Sequence, residues 1–464
     1  MKKIVKKLVL FAPVWLFAIF ISIFIGIITF FYPTQLCILT AILCILLVLW
    51  FLLKTMDIFS PTVGFLSAYF IYYGIGMTKI FTVHGVETPL KLWNYIILGA
   101  VCISIGILTA RCIFNRKYWT SNKHKRDIEK QVNIKRAKKV VIFMFLWGML
   151  FLGSCYIKAG IPLLAPLFSQ RPYLVRIALY RYTSPYVHFQ WYFLFVCCIL
   201  SFFIFCRLKK SFFLYFSLLI IAIYTMNLTR GVIIRLSIMC IVLYHFFRKK
   251  IDIKRLFLGI GIVILIGGYF LSLRGATEYG TVFKNAYTLC RTTTESFAKI
   301  IEVVPTNVDF FKGYLHFGSW IELLPGHQPS AGLLISQKIM GYSDAEYGTT
   351  PSFIGGLYLD GGIVGVFLGC FIVGLVLEFL YQKAKSDKDF YFFYTFIFVM
   401  SLTLLYSGGI IFFSVRGVWL LMLMKVAFDY AIKGRLTQID RFFLIPVIGV
   451  YMIIGLVMIP LMFL

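Results

Sequence analysis

Apolar residues run through this chain in long unbroken blocks, separated by short polar segments that are mostly basic. The blocks fall at 8–31, 36–53, 58–78, 92–110, 140–157, 188–206, 212–229, 231–247, 256–273, 361–382, 390–407, 413–432 and 442–464. Most approach the roughly 20 residues that a helix needs to cross a hydrocarbon core about 30 Å thick. They are continuous rather than alternating, which excludes a β-barrel. The pattern predicts an all-α polytopic integral membrane protein with about 13 transmembrane helices. We read residues 1–464 as a single transmembrane domain with three larger polar segments, at 111–139, 158–187 and 274–360.

Composition excludes a soluble globule: 61% of residues are hydrophobic, 14% are charged, and the mean hydropathy is +0.90. The start, Met1-Lys2-Lys3-Ile4-Val5-Lys6-Lys7, has the charge of a signal sequence but leads into an apolar block without a small-x-small cleavage site. It predicts an uncleaved first span with a cytoplasmic N-terminus.

Net charge +28 would suit a nucleic-acid binder, but the distribution does not. The basic residues come as short clusters at every second loop: Lys54, Arg111 to Lys139, Arg207 to Lys210, Arg248 to Arg255, Lys383 to Lys388 and Lys433 to Arg441. With the N-terminus inside, 30 of the 46 Lys and Arg are cytoplasmic and 14 are outside. Six of those 14 lie in 274–360, a segment long enough that its charge hardly controls orientation. The excess charge then meets anionic headgroups of membrane lipid, and no nucleic acid is expected. Nearly all of the eleven cysteines sit in apolar blocks or at their ends, where they act as small hydrophobes rather than a disulfide framework. No Cys/His spacing suits a metal, and no Gly-rich phosphate cradle is present, so no cofactor is predicted.

Candidate chemistry gathers on the predicted outer face. In 158–187, Pro172 is placed to open a short helix bearing Arg171, Arg176 and Arg181. On such a helix Arg171 and Arg181 stand about 80° apart, with Arg176 about 140° from each, so they do not form one stripe. Arg230 lies in the tight turn Leu228-Thr229-Arg230-Gly231, and Arg235 follows about one turn into the membrane, where a guanidinium is costly unless paired. Arg274 opens the long segment and Arg416 lies near the outer end of a span. For Arg171, Arg176 and Arg181 two readings stand, interfacial snorkelling or multidentate contact with a diphosphate. For Arg235, and similarly Arg416, the alternative to an anion site is a structural bond to a backbone carbonyl. Together the seven could make a site for a diphosphate.

The segment 274–360 carries eight acids, six bases and many aromatics, unlike a disordered linker, and helical periodicity runs from about Thr292 to Val304. Glu322, Asp344, Glu346 and Asp360 are candidate bases, each also readable as a satisfied loop carboxylate; His316 and His327 are weaker candidates. Tyr314, Trp320 and Tyr358, with Phe317 and Tyr342, offer faces for sugar stacking or form an interfacial belt.

Four features, in order and on one side, resemble the oligosaccharide repeat-unit polymerases of the O-antigen and capsule (Wzy) family. They are Gly160-Ile161-Pro162-Leu163-Leu164 with its spaced arginines, then Leu228-Thr229-Arg230-Gly231, and then Phe311-Lys312-Gly313-Tyr314 leading to Leu324-Pro325. Last comes Thr350-Pro351-Ser352 through Gly355-Gly356-Leu357-Tyr358-Leu359-Asp360-Gly361-Gly362 into Gly365. Gly326, Gly356 and Gly361 depart from that pattern, where many relatives carry Arg, Glu and an aromatic, so no role resting on those positions transfers.

The resemblance implies a metal-independent membrane glycosyltransferase of the large GT-C-like kind in the cytoplasmic membrane of a bacterium. Its substrate would be a polyprenyl-diphosphate-linked oligosaccharide, and its partners a chain-length regulator and a flippase. The glycan would pass from its carrier to the terminal sugar of an incoming lipid-linked unit. A ligase using the same donor, or a flippase, are the competing readings.

Reporter fusions test the predicted orientation. Green fluorescent protein fused after residue 125 fluoresces and alkaline phosphatase there is inactive, whereas a phosphatase fusion after residue 310 is active.

Overall fold

The structure, a computed structural model, describes residues 57–77, 91–114, 132–168, 171–181, 185–228, 230–252, 259, 282–321, 331–342, 348–408 and 414–463. The apolar blocks at 8–31 and 36–53, that at 256–273 apart from Gly259, and most of 111–139 lie outside the described residues. Among the described residues the chain is helical and no strand occurs. Six helices there are long and apolar enough to cross a membrane: Leu92–Ile113, Ile134–Phe168, Phe189–Leu208, Phe353–Ser386, Lys388–Ser407 and Asp440–Pro460. Two shorter apolar helices, Ser211–Met226 and Gly231–Phe247, match further predicted blocks. The blocks at 58–78 and 413–432 are carried by helices of 12 and 14 residues, the first preceded and the second continued by a π-turn. The chain is a multi-pass helical membrane protein.

Its helices divide between two compact units. In the first lie α1 (Leu66–Met77) and α2 (Lys91–Ile113). In the second lie α3 (Ile134–Ala159), α4 (Pro172–Arg181), α5 (Pro185–Leu208), α6 (Ser211–Met226) and α7 (Arg230–Phe247). The chain returns to the first unit for α8 (Val282–Val303), α9 (Tyr314–Ile321), α10 (Phe353–Ser386) and α11 (Tyr391–Ser407). It ends in the second with α12 (Val415–Phe428) and α13 (Ile445–Phe463).

Between helices in lipid the hydrophobic drive is weak, so close backbone approach has to do more of the work. In the first unit α2 and α10 meet through glycines on both sides. A Cβ on Gly106 would lie 2.2 Å from the Phe371 carbonyl, and one on Gly374 would lie 2.1 Å from the Ile103 carbonyl. Helix α8 extends ten residues N-terminal of the periodic stretch read from sequence. Arg291 and Thr293 through Ala298 are buried on it. Thr293 and Thr294 meet α1, where Gly76 leaves no room for a side chain beside Thr294, and Phe297 meets Gly355 of α10 and Tyr95 of α2.

Helix α10 contains the decisive irregularity. At Gly361 and Gly362 the backbone leaves helical geometry, and Gly362 takes φ 60°, ψ −145°, a region that only glycine occupies at ease. Residues eight apart in an unbroken helix are about 12 Å apart along the axis. Here a Cβ on Gly365 would sit 2.2 Å from the Leu357 carbonyl, and one on Gly369 would sit 2.2 Å from Leu357 Cδ2. The segment 353–360 therefore doubles back over the helix that follows it. The break coincides with the predicted start of a span at 361, and the remainder to Ser386 is about 36 Å long, enough to cross the bilayer.

Charges within apolar surroundings are paired. In the first unit Arg111 donates from Nε to Glu378 Oε1 at 2.7 Å and reaches Thr62, while Glu378 is fully buried. In the second unit Lys425, read from sequence as lying inside a span, bonds to Asp429 and to Asp440, the latter at 3.2 Å; both carboxylates are fully buried. Trp147 donates to Gln190 Oε1 at 2.9 Å, and Gln190 in turn donates to the Tyr451 carbonyl at 2.9 Å, tying α3, α5 and α13 together.

Removing one partner of a buried ion pair costs roughly 3–5 kcal/mol, and the partial exposure of Arg111 places Glu378→Ala near the lower end. The thermal melting temperature falls in Glu378→Ala and recovers largely in the double variant Arg111→Met/Glu378→Leu, measured on protein in lipid nanodiscs.

Candidate functional site

In the first unit the fold-back of α10 delivers Asp360 to the start of α9. The chain reaches α9 through Lys312 and Gly313, at φ 50° and 91°, a left-handed turn that reverses it toward α10. There the Phe311 amide donates to the Leu359 carbonyl at 2.9 Å, fixing the turn against the end of segment 353–360. The Asp360 carboxylate then accepts from the backbone amides of Leu315 at 3.1 Å and His316 at 3.2 Å. It also bonds His316 Nδ1.

A carboxylate only accepts, so Nδ1 carries a hydrogen, and in the neutral imidazole Nε2 is the nitrogen that keeps its lone pair. Nε2 is buried and has no hydrogen-bond partner among the described residues. His316 as a whole is 7% exposed and the Asp360 side chain 9%. An aspartate held by two backbone amides, orienting an imidazole whose second nitrogen is free, is a proton-accepting arrangement.

The aromatic candidates separate. Trp320, one helical turn beyond His316, is 43% exposed, and Phe317 beside it is 55% exposed. Tyr314 is half-buried at the start of α9. Tyr358 is buried: its hydroxyl donates to the Val304 carbonyl at 3.3 Å, and its ring packs against Tyr95 and Phe310. Tyr358 thus presents no open face to a sugar and belongs to the aromatic core under segment 353–360. Of the candidate acids, Glu322, Asp344 and Glu346 lie outside the described residues, as does His327.

Helix α8 adds a pair that the sequence reading did not single out. Arg291 donates from Nε to Glu295 Oε1 at 2.6 Å and from Nη1 to the Gly76 carbonyl at 3.1 Å, with both side chains almost wholly buried. Their four-residue spacing was visible in the sequence, but burial of that face of α8 was not.

The second unit holds the arginine candidates. Pro172 opens α4 as predicted, with Arg171 exposed just before it, Arg176 half-buried on it and Arg181 at its last position. Val175 and Leu179 form its buried stripe. Arg230 begins α7; the side chains of Arg181 and Arg230 lie outside the description, as does Arg274 altogether. Arg235 is half-buried and donates from Nε to the Gly231 carbonyl of its own helix at 2.8 Å. Arg416 is exposed in the first turn of α12. Among the described residues no group of three or more His, Cys, Asp or Glu is placed to hold a metal ion.

A polytopic helical membrane protein with these buried polar pairs is the class that fold and site define. Compared with known families, residues 9–408 match the model described as "Putative O-antigen polymerase", and the chain belongs to that family. No curated protein and no solved structure matches it. Membership implies polymerisation of repeat units in polysaccharide synthesis, a transferase activity.

Burial pushes the Cys290 thiol up to about 12, and the thiolate is the reacting form. In a variant keeping this cysteine alone, maleimide labelling at pH 7 is slow in the folded protein and becomes fast once the protein is unfolded and the thiol regains its ordinary acidity.

Proposed function

We propose that the chain polymerises polyprenyl-diphosphate-linked oligosaccharide repeat units at the outer face of a bacterial cytoplasmic membrane. The observation that carries this reading is the family match across 9–408, which takes in segments 158–187 and 274–360. A growing glycan is the donor. The terminal sugar of an incoming lipid-linked unit is the acceptor, and polyprenyl diphosphate leaves. Diphosphate is a good leaving group, so the transfer needs no nucleotide, and guanidinium groups stabilise the charge that develops on it.

Arg171, Arg176, Arg181, Arg230, Arg235, Arg274 and Arg416 are the proposed diphosphate contacts. The described ones among them arise from three segments of one unit, around α4, α7 and α12. Exposed Trp320 and half-buried Tyr314 are the proposed sugar contacts, while Glu322, Asp344, Glu346 and Asp360 supply carboxylates on the acceptor side. A chain-length regulator and a flippase are the proposed partners.

Cells lacking the chain accumulate single repeat units on their lipid carrier, and purified protein given only lipid-linked repeat unit forms a ladder of polymers. Arg176→Ala and Arg416→Ala each lower the yield and mean length of that ladder at least tenfold. A flippase would move the substrate without forming bonds, and a ligase would give no ladder.

A further inference from the structure

Of the buried polar pairs in the first unit, Arg291–Glu295 and Arg111–Glu378 use their charges on each other and on neighbouring groups. His316–Asp360 differs, because one imidazole nitrogen is engaged and the other, also buried, has no partner among the described residues. A buried polar atom left without a partner is unfavourable to the fold. Anchoring α9 to α10 does not require that nitrogen, since an asparagine in place of the histidine can make the same bond to Asp360.

We propose that His316 is the catalytic base of the transfer, with Asp360 as its positioning residue; this rests on the polymerase reading above. Asp360, rigidly held by the amides of Leu315 and His316, keeps the proton on Nδ1 and aims the Nε2 lone pair. Trp320 lies four residues on, on the same face of α9 and partly exposed, and gives the acceptor sugar a flat surface beside the imidazole. Burial of Nε2 keeps the base out of bulk water.

In the step itself the acceptor hydroxyl oxygen bonds to the anomeric carbon of the donor glycan. The bond from that carbon to the diphosphate oxygen breaks, its electron pair leaving with polyprenyl diphosphate, while the hydroxyl proton passes to Nε2. The imidazolium, stabilised by Asp360, then returns its proton to water as product leaves. This reassigns the role expected of Asp360: its carboxylate oxygens are committed to two amides and a ring nitrogen, and the proton goes to the histidine it orients.

The test compares His316→Asn and Asp360→Asn with wild type in nanodiscs, using a defined lipid-linked repeat unit as both donor and acceptor. Asparagine at 316 retains a donor for Asp360 and lacks the distal base. Asparagine at 360 keeps one accepting oxygen, so it holds only one of the two amides and no longer imposes the Nδ1–H tautomer. A positioned general base contributes about 10²–10⁴-fold, so His316→Asn should lower kcat by that factor with KM and melting temperature unchanged. Asp360→Asn should lower kcat at least tenfold with the same unchanged KM.

Wild-type turnover in His316→Asn overturns the proposal, and so does a loss that tracks a fall in melting temperature or in binding of the lipid-linked unit. If wild type itself forms no ladder, the polymerase reading fails instead.

Discussion

The doubling back of residues 353–360 over the helix that follows is the constraint on which the first unit's chemistry depends. Two features make it stable. Gly362 adopts a backbone conformation closed to other residues, and Gly365 and Gly369 leave space for Leu357 to lie on the helix surface. A side chain at Gly365 or Gly369 would push the segment away. Asp360 would then lose the Leu315 and His316 amides, and His316 would lose the group that sets its tautomer. Much of the glycine pattern in this stretch is thus packing geometry, and its chemical product is the placement of one carboxylate.

Buried away from water a polar group has no solvent partner to fall back on, and this protein answers by closing its charges into short local circuits. Lys425 with Asp429 and Asp440, Arg111 with Glu378, and Arg291 with Glu295 each place opposite charges within hydrogen-bond reach, with at least one partner buried. Such pairs need not add net stability over apolar residues of similar size, but each makes the wrong helix register expensive. His316 stands apart because its distal nitrogen lies outside any such circuit.

The helical membrane class, and most of the described helices, were legible in the order of apolar blocks. Lipid thickness sets a length that the sequence must meet in one continuous run. The small helix α4 was legible too, because Pro172 supplies its own start signal. Harder to read were the role of Asp360 and the importance of His316. In sequence Asp360 was one of four comparable acids and His316 a weak candidate. The two lie 44 residues apart, and nothing local to either indicates the other. Tyr358 looked like an interfacial ring because aromatics near membranes usually are; the segment carrying it turns inward instead, and its ring is buried against Tyr95 and Phe310.

By itself the sequence determined the solvent. Sixty-one per cent hydrophobic residues in spanning runs, with cations at alternate loops, leave helices in a bilayer as the workable solution. These are properties of composition and spacing, and each can be read from neighbours along the chain. Only the tertiary structure decided which polar residues meet, because that depends on where the backbone reverses. A reversal at two glycines turns a row of unremarkable acids into one oriented aspartate beside one histidine, and hydropathy is blind to the direction a helix takes after it breaks.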